Sequence, residues 1–180
     1  MYGIVGNTVA WVAATGAALA MAVGAPTDNS VMGRVPHVQV THLQKPVLLS
    51  QALPADRTLA IVAFHKSHAP DVEAWIEGLQ LRRSPGIAWV RMPVLADPGD
   101  AASRTMVESR LLARFQGHND HARLLPVFTD RAAFVRSAGL ESVEQVYAIV
   151  LNRQGEVLAR AGGPFDEDKA QALRETLLGI

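Results

Sequence analysis

The stretch TLAIVAFHKSHAPDVEAWIEGL, residues Thr58 to Leu79, decides the fold of this 180-residue chain. Residues 58–64 are mainly β-branched, apolar and aromatic, which is typical of a strand buried on both faces. The spacing i, i+3, i+4, i+7 then places one apolar stripe on a helix, formed by Val72, Trp75, Ile76 and Leu79. Pro70 suits the first helical turn, where the helix dipole also favours Asp71 and Glu73. The stretch therefore predicts a strand, a loop and a helix.

The composition excludes several classes of function. Lys and Arg total 17, as do Asp and Glu, so the net charge of zero does not indicate a nucleic-acid partner. The chain contains no cysteine. Disulfide exchange and peroxide reduction both need a thiolate, so the chain can catalyse neither by its own side chains. The length suits one domain and an N-terminal extension.

The N-terminal residues 1–27 carry no charged side chain, and 3–25 is apolar apart from three polar residues. This composition predicts a signal peptide or a membrane anchor, and so a periplasmic or membrane-anchored protein, although the basic start of a secretory signal is missing. The alternative is translation from Met32, which would make the protein cytoplasmic. The turn-rich residues 28–36 predict a linker, and the folded domain is predicted over residues 37–180.

The rest of the chain alternates between strand and helix patterns. Two short apolar runs, 37–41 and 46–50, predict a two-stranded opening. Later strands are predicted at 87–95, 124–129, 145–151 and 156–161, and helices at 101–115, 131–138 and from Asp166 onward. Pro93 indicates an edge strand or a bulge. The order β-β-β-α-β-α-β-α-β-β-α predicts an α/β fold, a central mixed β-sheet with helices on both faces.

That order resembles the thioredoxin-like superfamily, especially its peroxiredoxin and TlpA-type branch, over about residues 33–178. The likeness is carried by TLAIVAF with APDVEAWIEGL, and by VYAIVLNRQGEVLARAGG with DEDKAQALRETL. If Phe64 matches the aromatic residue that ends the family's strand, Ala69 and Val72 stand where a C-x-x-C pair would be. The proline that shapes the family's peptide groove is replaced at Glu144 and Gln145. The resemblance therefore implies the fold, without the redox activity or the usual groove.

A narrower resemblance follows from these departures. A cysteine-free chain with Trp75 on its first helix, no such proline and a closing hairpin at 147–163 is similar to the thioredoxin-like assembly factors of the ATP synthase membrane sector. This resemblance implies a redox-inactive, membrane-associated accessory or assembly factor, a chaperone that binds a protein partner such as a membrane-complex subunit. It implies no cofactor. The expected binding residues lie where the loop meets the helix, at His65, Lys66, Ser67, His68 and Trp75.

Two H-x-x-H pairs raise the question of a metal site. Histidine suits Zn²⁺ or Cu²⁺, so His65 and His68 are candidate ligands, and a metallochaperone is the alternative function. The second pair, His118 and His121, precedes a later strand. Parallel strands would separate the two pairs by on the order of 15 Å, so a four-histidine site is not expected. Each pair alone offers fewer ligands than a structural zinc site uses.

The remaining hypothesis for chemistry at this loop is a nucleophilic serine. Ser67 lies beside two histidines, but no strained G-x-S-x-G turn accompanies it. Helix capping is therefore the simpler role for Ser67. Trp75 and Trp89 fit the core better than a ligand platform. The residues Arg82 and Arg83 suit a helix end and are too few to indicate nucleic-acid binding.

Overall fold

The computed structural model of the protein describes residues 31–42, 45–115 and 120–179. The predicted N-terminal segment 1–27 and His118 lie outside the described residues. The strands are β1 Gln39–His42, β2 Lys45–Leu48, β3 Arg57–Ala63, β4 Trp89–Leu95, β5 Val127–Phe128, β6 Tyr147–Asn152 and β7 Val157–Gly162. The helices are α1 Ala69–Gly78, α2 Ala101–Arg114, α3 Arg131–Ser137 and α4 Glu167–Leu178. This order confirms the predicted sequence of elements.

Five of the strands form one mixed sheet in the order β5-β4-β3-β6-β7. Strands β3, β4 and β5 run parallel, while β6 is antiparallel to β3 and β7 is antiparallel to β6. Strands β1 and β2 pair with each other in a separate antiparallel sheet. The predicted two-stranded opening and central mixed sheet are confirmed.

The core lies on both faces of this sheet because alternate residues of β3 point to opposite sides. Leu59 and Ile61 share one apolar cluster with side chains of α1 and α4. Ala60 and Val62 share the other cluster with side chains of α3 and of the β1–β2 region. These four residues are at most 1% exposed. The prediction that this strand is buried on both faces, with helices covering each, is correct.

Helix α2 is an exception, because none of its residues is buried. Asp100 caps it by accepting a hydrogen bond from the Ser103 backbone N–H at 2.8 Å. Its apolar side chains Val107 and Leu111 reach the domain only in part, since both are half-buried. The helix therefore lies against the domain without entering the core.

The structure corrects the prediction for Pro93. Strand β4, which contains it, is an interior strand between β3 and β5. The carbonyls of Arg91 and Leu95, two residues to either side, accept hydrogen bonds from the Leu125 and Thr129 backbone N–H groups. Alternate residues of a parallel strand face the same neighbour, so the missing N–H of Pro93 falls on the β5 side. That ladder holds only two residue pairs, which makes the proline tolerable.

The predicted linker, residues 28–36, extends too far toward the C-terminus. The Met32 N–H donates to the Val157 carbonyl at 2.8 Å, and the Val35 N–H donates to the Gly155 carbonyl at 2.8 Å. Val35 is 3% exposed and belongs to the core. Short extended segments with glycine and proline resemble linkers in sequence, although residues 32–35 pack here as part of the domain.

Candidate functional site

The histidine loop, residues His65 to His68, directly follows the carboxyl end of β3. Before it, Phe64 packs edge-on against Phe134 and Tyr147, with ring centroids 6.0 and 6.4 Å apart. A 3-10 turn, Lys66–His68, then leads into α1. The loop is anchored by the core at the sheet edge where the parallel strands β3 and β4 end, an edge at which α/β sheets commonly bind ligands.

Three of the four side chains of the histidine loop face solvent. His65, Lys66 and Ser67 are exposed, whereas His68 is 6% exposed. The Phe64 backbone N–H donates to His68 Nδ1 at 3.3 Å. Burial lowers the pKa of His68, and the nearby His65 lowers it further. His68 is therefore a neutral acceptor that supports the loop from inside, and the other three residues form its outer surface.

Ser67 does not cap helix α1. The N-cap residue is His68, and its side chain makes no capping hydrogen bond. The prediction is wrong because the 3-10 turn places Ser67 one residue too early. The Ser67 side chain is left on the exposed surface of the histidine loop.

Trp75 lies in the core, and its side chain contributes nothing to the protein surface because it is 0% exposed. Its Nε1 donates to the Gly163 carbonyl at 2.9 Å, and its ring packs edge-on against Phe165 at 5.3 Å. Of the predicted binding residues, the structure brings together His65, Lys66 and Ser67 at the surface. His68 and Trp75 lie behind them and hold α1 in place.

The rings of His65 and His68 are close enough to bind one metal ion together. Their ring centroids are 5.3 Å apart and the rings are nearly perpendicular. Within residues 31–42, 45–115 and 120–179, no group of three or more His, Cys, Asp or Glu side chains could hold a metal ion. His121, of the second predicted pair, lies in a separate 3-10 turn, His121–Arg123. The pair at His65 and His68 therefore offers two ligands.

A cleft adjoins the histidine loop, between the N-terminal turns of α1 and the C-terminal turn of α2. Its volume is about 440 Å³. We call it the α1–α2 cleft. Its lining is mainly apolar: Ile61, Ala63, Phe64, Ala69, Val72, Met92, Pro93, Leu95, Leu111, Phe115 and Leu124. The polar lining residues are His65, Lys66, Glu73, Arg91 and Arg114. The sequence did not predict this cleft, because α2 and β4 supply six of its sixteen lining residues from distant positions in the chain.

An arginine–carboxylate network, formed by Glu73, Arg82, Arg91 and Asp120, lies beside the cleft. Arg91 is 5% exposed and bonds to Glu73 at 2.6 Å and to Asp120 at 3.2 Å. Arg82 bonds to the same two carboxylates at 2.8 and 3.0 Å. Burial opposes ionisation of Glu73, but hydrogen bonds from both arginines outweigh it and hold the pKa of this carboxyl below its usual value. The network fastens α1 to β4 and to residue 120.

The network gives Glu73 and Arg82 roles that sequence analysis did not predict. The sequence placed both residues near helix ends, where the helix dipole would favour their charges. In the structure each one bonds instead to oppositely charged side chains across the fold. One signal was present, since a charged residue in the middle of the apolar run WVRMPVL requires a buried partner. Nothing in the sequence identified Glu73 and Asp120 as those partners.

Comparison with known proteins supports the fold. No protein-family model and no curated protein sequence matches the chain significantly. A protein of Aquifex aeolicus VF5 for which electron transfer is proposed is similar in structure, with a TM-score of 0.58 and 10% identity, over 84% of this chain and 100% of that one. BsSco, of the Sco family of cytochrome c oxidase assembly proteins, follows with a TM-score of 0.53 and 12% identity, over 82% and 96%. At such identities the likeness concerns the fold alone.

The protein therefore has a thioredoxin-like fold, as the sequence predicted. Its chain has no cysteine, so it lacks the thiol chemistry that thioredoxin-like oxidoreductases use. The histidine loop directly precedes Ala69 and Val72 of α1, the positions where the predicted alignment puts that chemistry. In the part of the chain that the structure describes, no helix is long and apolar enough to cross a membrane.

Proposed function

We propose that this protein is a redox-inactive thioredoxin-like module that binds a protein partner through the outer surface of the histidine loop. The observation that carries this proposal is the contrast in side-chain exposure between the outer and inner residues of this site. His65, Lys66 and Ser67 are exposed together, while His68 and Trp75 are buried and hydrogen-bonded behind them. A surface held in one conformation loses little entropy when it binds, which favours recognition.

The finer part of the proposal is that the protein serves as a membrane-associated accessory or assembly factor for a membrane complex. The uncharged residues 1–27 support membrane association. The fold neighbour BsSco belongs to a family of cytochrome c oxidase assembly proteins, which is compatible with such a role for this fold. The absence of cysteine supports binding over thiol exchange.

The experiment is affinity purification of the full-length, tagged protein from detergent-solubilised membranes of its own host, followed by mass spectrometry. We expect subunits of one membrane complex to be recovered, and we expect Lys66→Glu to reduce their recovery. Lys45→Glu is the matched control, since Lys45 is also exposed but lies on β2, outside the loop. Recovery of the bait alone would refute partner binding. Equal recovery with both variants would place the interface elsewhere.

The alternative, a metallochaperone, is favoured by one observation, the 5.3 Å separation of the His65 and His68 rings. Two ligands from the protein would leave the remaining positions on Cu²⁺ or Zn²⁺ to water or to a recipient protein. Titration with each metal, followed by calorimetry, tests this alternative. A site at the pair would weaken in His65→Ala and keep its affinity in His121→Ala. Unchanged affinity in His65→Ala would exclude it.

A further inference from the structure

We propose that the α1–α2 cleft binds a small amphiphilic carboxylate, a molecule with one apolar chain and one carboxylate group, as in a medium-chain fatty acid. The proposal goes beyond the partner-binding function, because it concerns the cleft beside the histidine loop and needs no partner protein. Three properties of the cleft carry it: its size and apolar walls, the charges in its lining, and the state of Arg91.

The size and walls of the cleft suit an apolar chain. Its volume of about 440 Å³ falls within the range of about 300 to 1,000 Å³ that small-molecule sites occupy. Val72 of α1, Met92 of β4 and Leu111 of α2 contribute apolar side chains from three separate elements. The cleft also lies at the carboxyl ends of β3 and β4, the edge at which open α/β sheets bind ligands.

The charges in the lining select for an anion. Lys66 and Arg114 are exposed residues of the lining. Across the described ranges, neither forms a salt bridge. The acidic residue of the lining, Glu73, is already bonded to Arg82 and Arg91. The chain as a whole has no net charge, so this local excess of positive charge is a property of the cleft.

Arg91 supplies the second, independent observation. Arg91 is a lining residue of the cleft, its Cζ lies 4.8 Å from the centroid of the Phe115 ring, and its side chain is 6% exposed. Among the residues placed by the structure, no acceptor bonds to the buried Arg91 Nε. A buried donor without an acceptor is costly, and a carboxylate is the acceptor that fits an arginine fork. Displacement of the Phe115 ring by an entering ligand would open this donor to it.

The first test is calorimetric titration of the full-length protein with decanoate below its micelle concentration. Decyltrimethylammonium, which has the same chain and a positive head group, and acetate, which has the acid group without the chain, are the comparison ligands. We expect decanoate to bind and the other two to bind at least about tenfold more weakly. Equal binding of the cationic amphiphile would overturn the proposal, since only apolar contact would then be involved. Absence of decanoate binding would also overturn it.

Variants place the binding in the cleft. We expect Lys66→Glu and Arg114→Glu each to weaken decanoate binding about three- to tenfold. Arg110→Glu is the control, because Arg110 is exposed on the same helix, one turn earlier, and is outside the lining. Backbone amide NMR shifts in the wild type should change at residues 65–69 and 111–115, which checks the location without any substitution. Equal weakening by Arg110→Glu, or shifts confined to other residues, would refute the site. Because the titration contains no partner protein, its failure leaves the partner-binding proposal standing.

Discussion

Trp75 Nε1 donates a hydrogen bond to the Gly163 carbonyl oxygen at 2.9 Å, which joins the middle of α1 to the turn after β7. The two residues are 88 positions apart in the chain. Helix α1 follows the histidine loop directly, so this bond fixes the element that positions the loop. Its loss would leave a carbonyl without its donor in a buried place.

We therefore expect Trp75→Phe to lower the free energy of unfolding by about 2 to 3 kcal/mol, from lost apolar volume and a lost hydrogen bond. Trp89→Phe is the matched control. Trp89 is equally buried, at 0% exposure, but its Nε1 has no partner within the described part of the chain. Urea unfolding should show Trp75→Phe to be more destabilising by about 1 kcal/mol. Equal losses would mean that the bond to Gly163 contributes nothing.

The arginine–carboxylate network predicts a large effect at Asp120. Asp120 is 4% exposed and accepts hydrogen bonds from both Arg82 and Arg91. Asp120→Asn would leave the buried Arg91 charge with one carboxylate fewer, and we expect a loss of about 3 kcal/mol in unfolding free energy. Thermal and urea denaturation measure it.

The control for Asp120 is an ion pair on the surface. Asp56 pairs with Arg153, and the Asp56 side chain is 87% exposed. Water screens such a pair, so Asp56→Asn should change stability by at most about 1 kcal/mol. If Asp120→Asn costs no more than Asp56→Asn, the network does not stabilise the fold.

The packing of residues 32–35 predicts a defined effect at Gly139. Gly139 has φ +67, and a Cβ there would collide with the Met32 carbonyl oxygen. Gly139→Ala should therefore cost more than the backbone strain of about 1 kcal/mol, and should increase amide exchange in residues 32–35. Gly99→Ala provides the comparison, since φ is +92 there and a Cβ would meet no atom within 4 Å. Similar stability and exchange in the two variants would contradict the predicted collision.

The burial of His68 predicts a pH dependence. Its pKa in the folded protein lies below the ordinary value of 6.5, so the unfolded chain binds the proton more readily. The stability contribution of neutral His68 is then complete above about pH 6.5 and decreases as the pH falls through the folded pKa. We expect His68→Gln to lose less stability than the wild type between pH 7 and 5 in urea unfolding. His37→Gln, an exposed control, should keep the wild-type dependence. An unchanged dependence in His68→Gln would disprove the assignment.

The elements that the sequence predicted correctly have local signals. The run of buried residues in β3 and the apolar stripe of α1 each depend on neighbours within a few positions. The hairpin of β6 and β7 is similar, because Gly155, with φ +76, supports the turn directly. Periodicity and turn chemistry record such features in consecutive residues.

The candidate site was predicted only in part, because its remaining features are long-range. The exposed surface of the histidine loop follows from its position after β3. The partners of Arg91, at positions 73 and 120, belong to different elements and leave no periodic trace in the sequence. Likewise, the spacing of Val107 and Leu111 on α2 indicates which side faces the domain but not how deeply that side is buried. The cleft between the two helices was therefore beyond sequence analysis.

The attachment of residues 32–35 to the domain determines which end of the domain an N-terminal tether would hold. They bond to Gly155 and Val157, at the end of the sheet where β3 begins, whereas the histidine loop follows the end of β3. The seven residues of β3 separate these two ends of the sheet by about 20 Å. A tether that joins the domain through residue 31 would therefore attach at the end of the sheet opposite the α1–α2 cleft. A protein anchored in this way would present the histidine loop away from the bilayer, so the proposed membrane-complex partner would be bound through a part that extends into water.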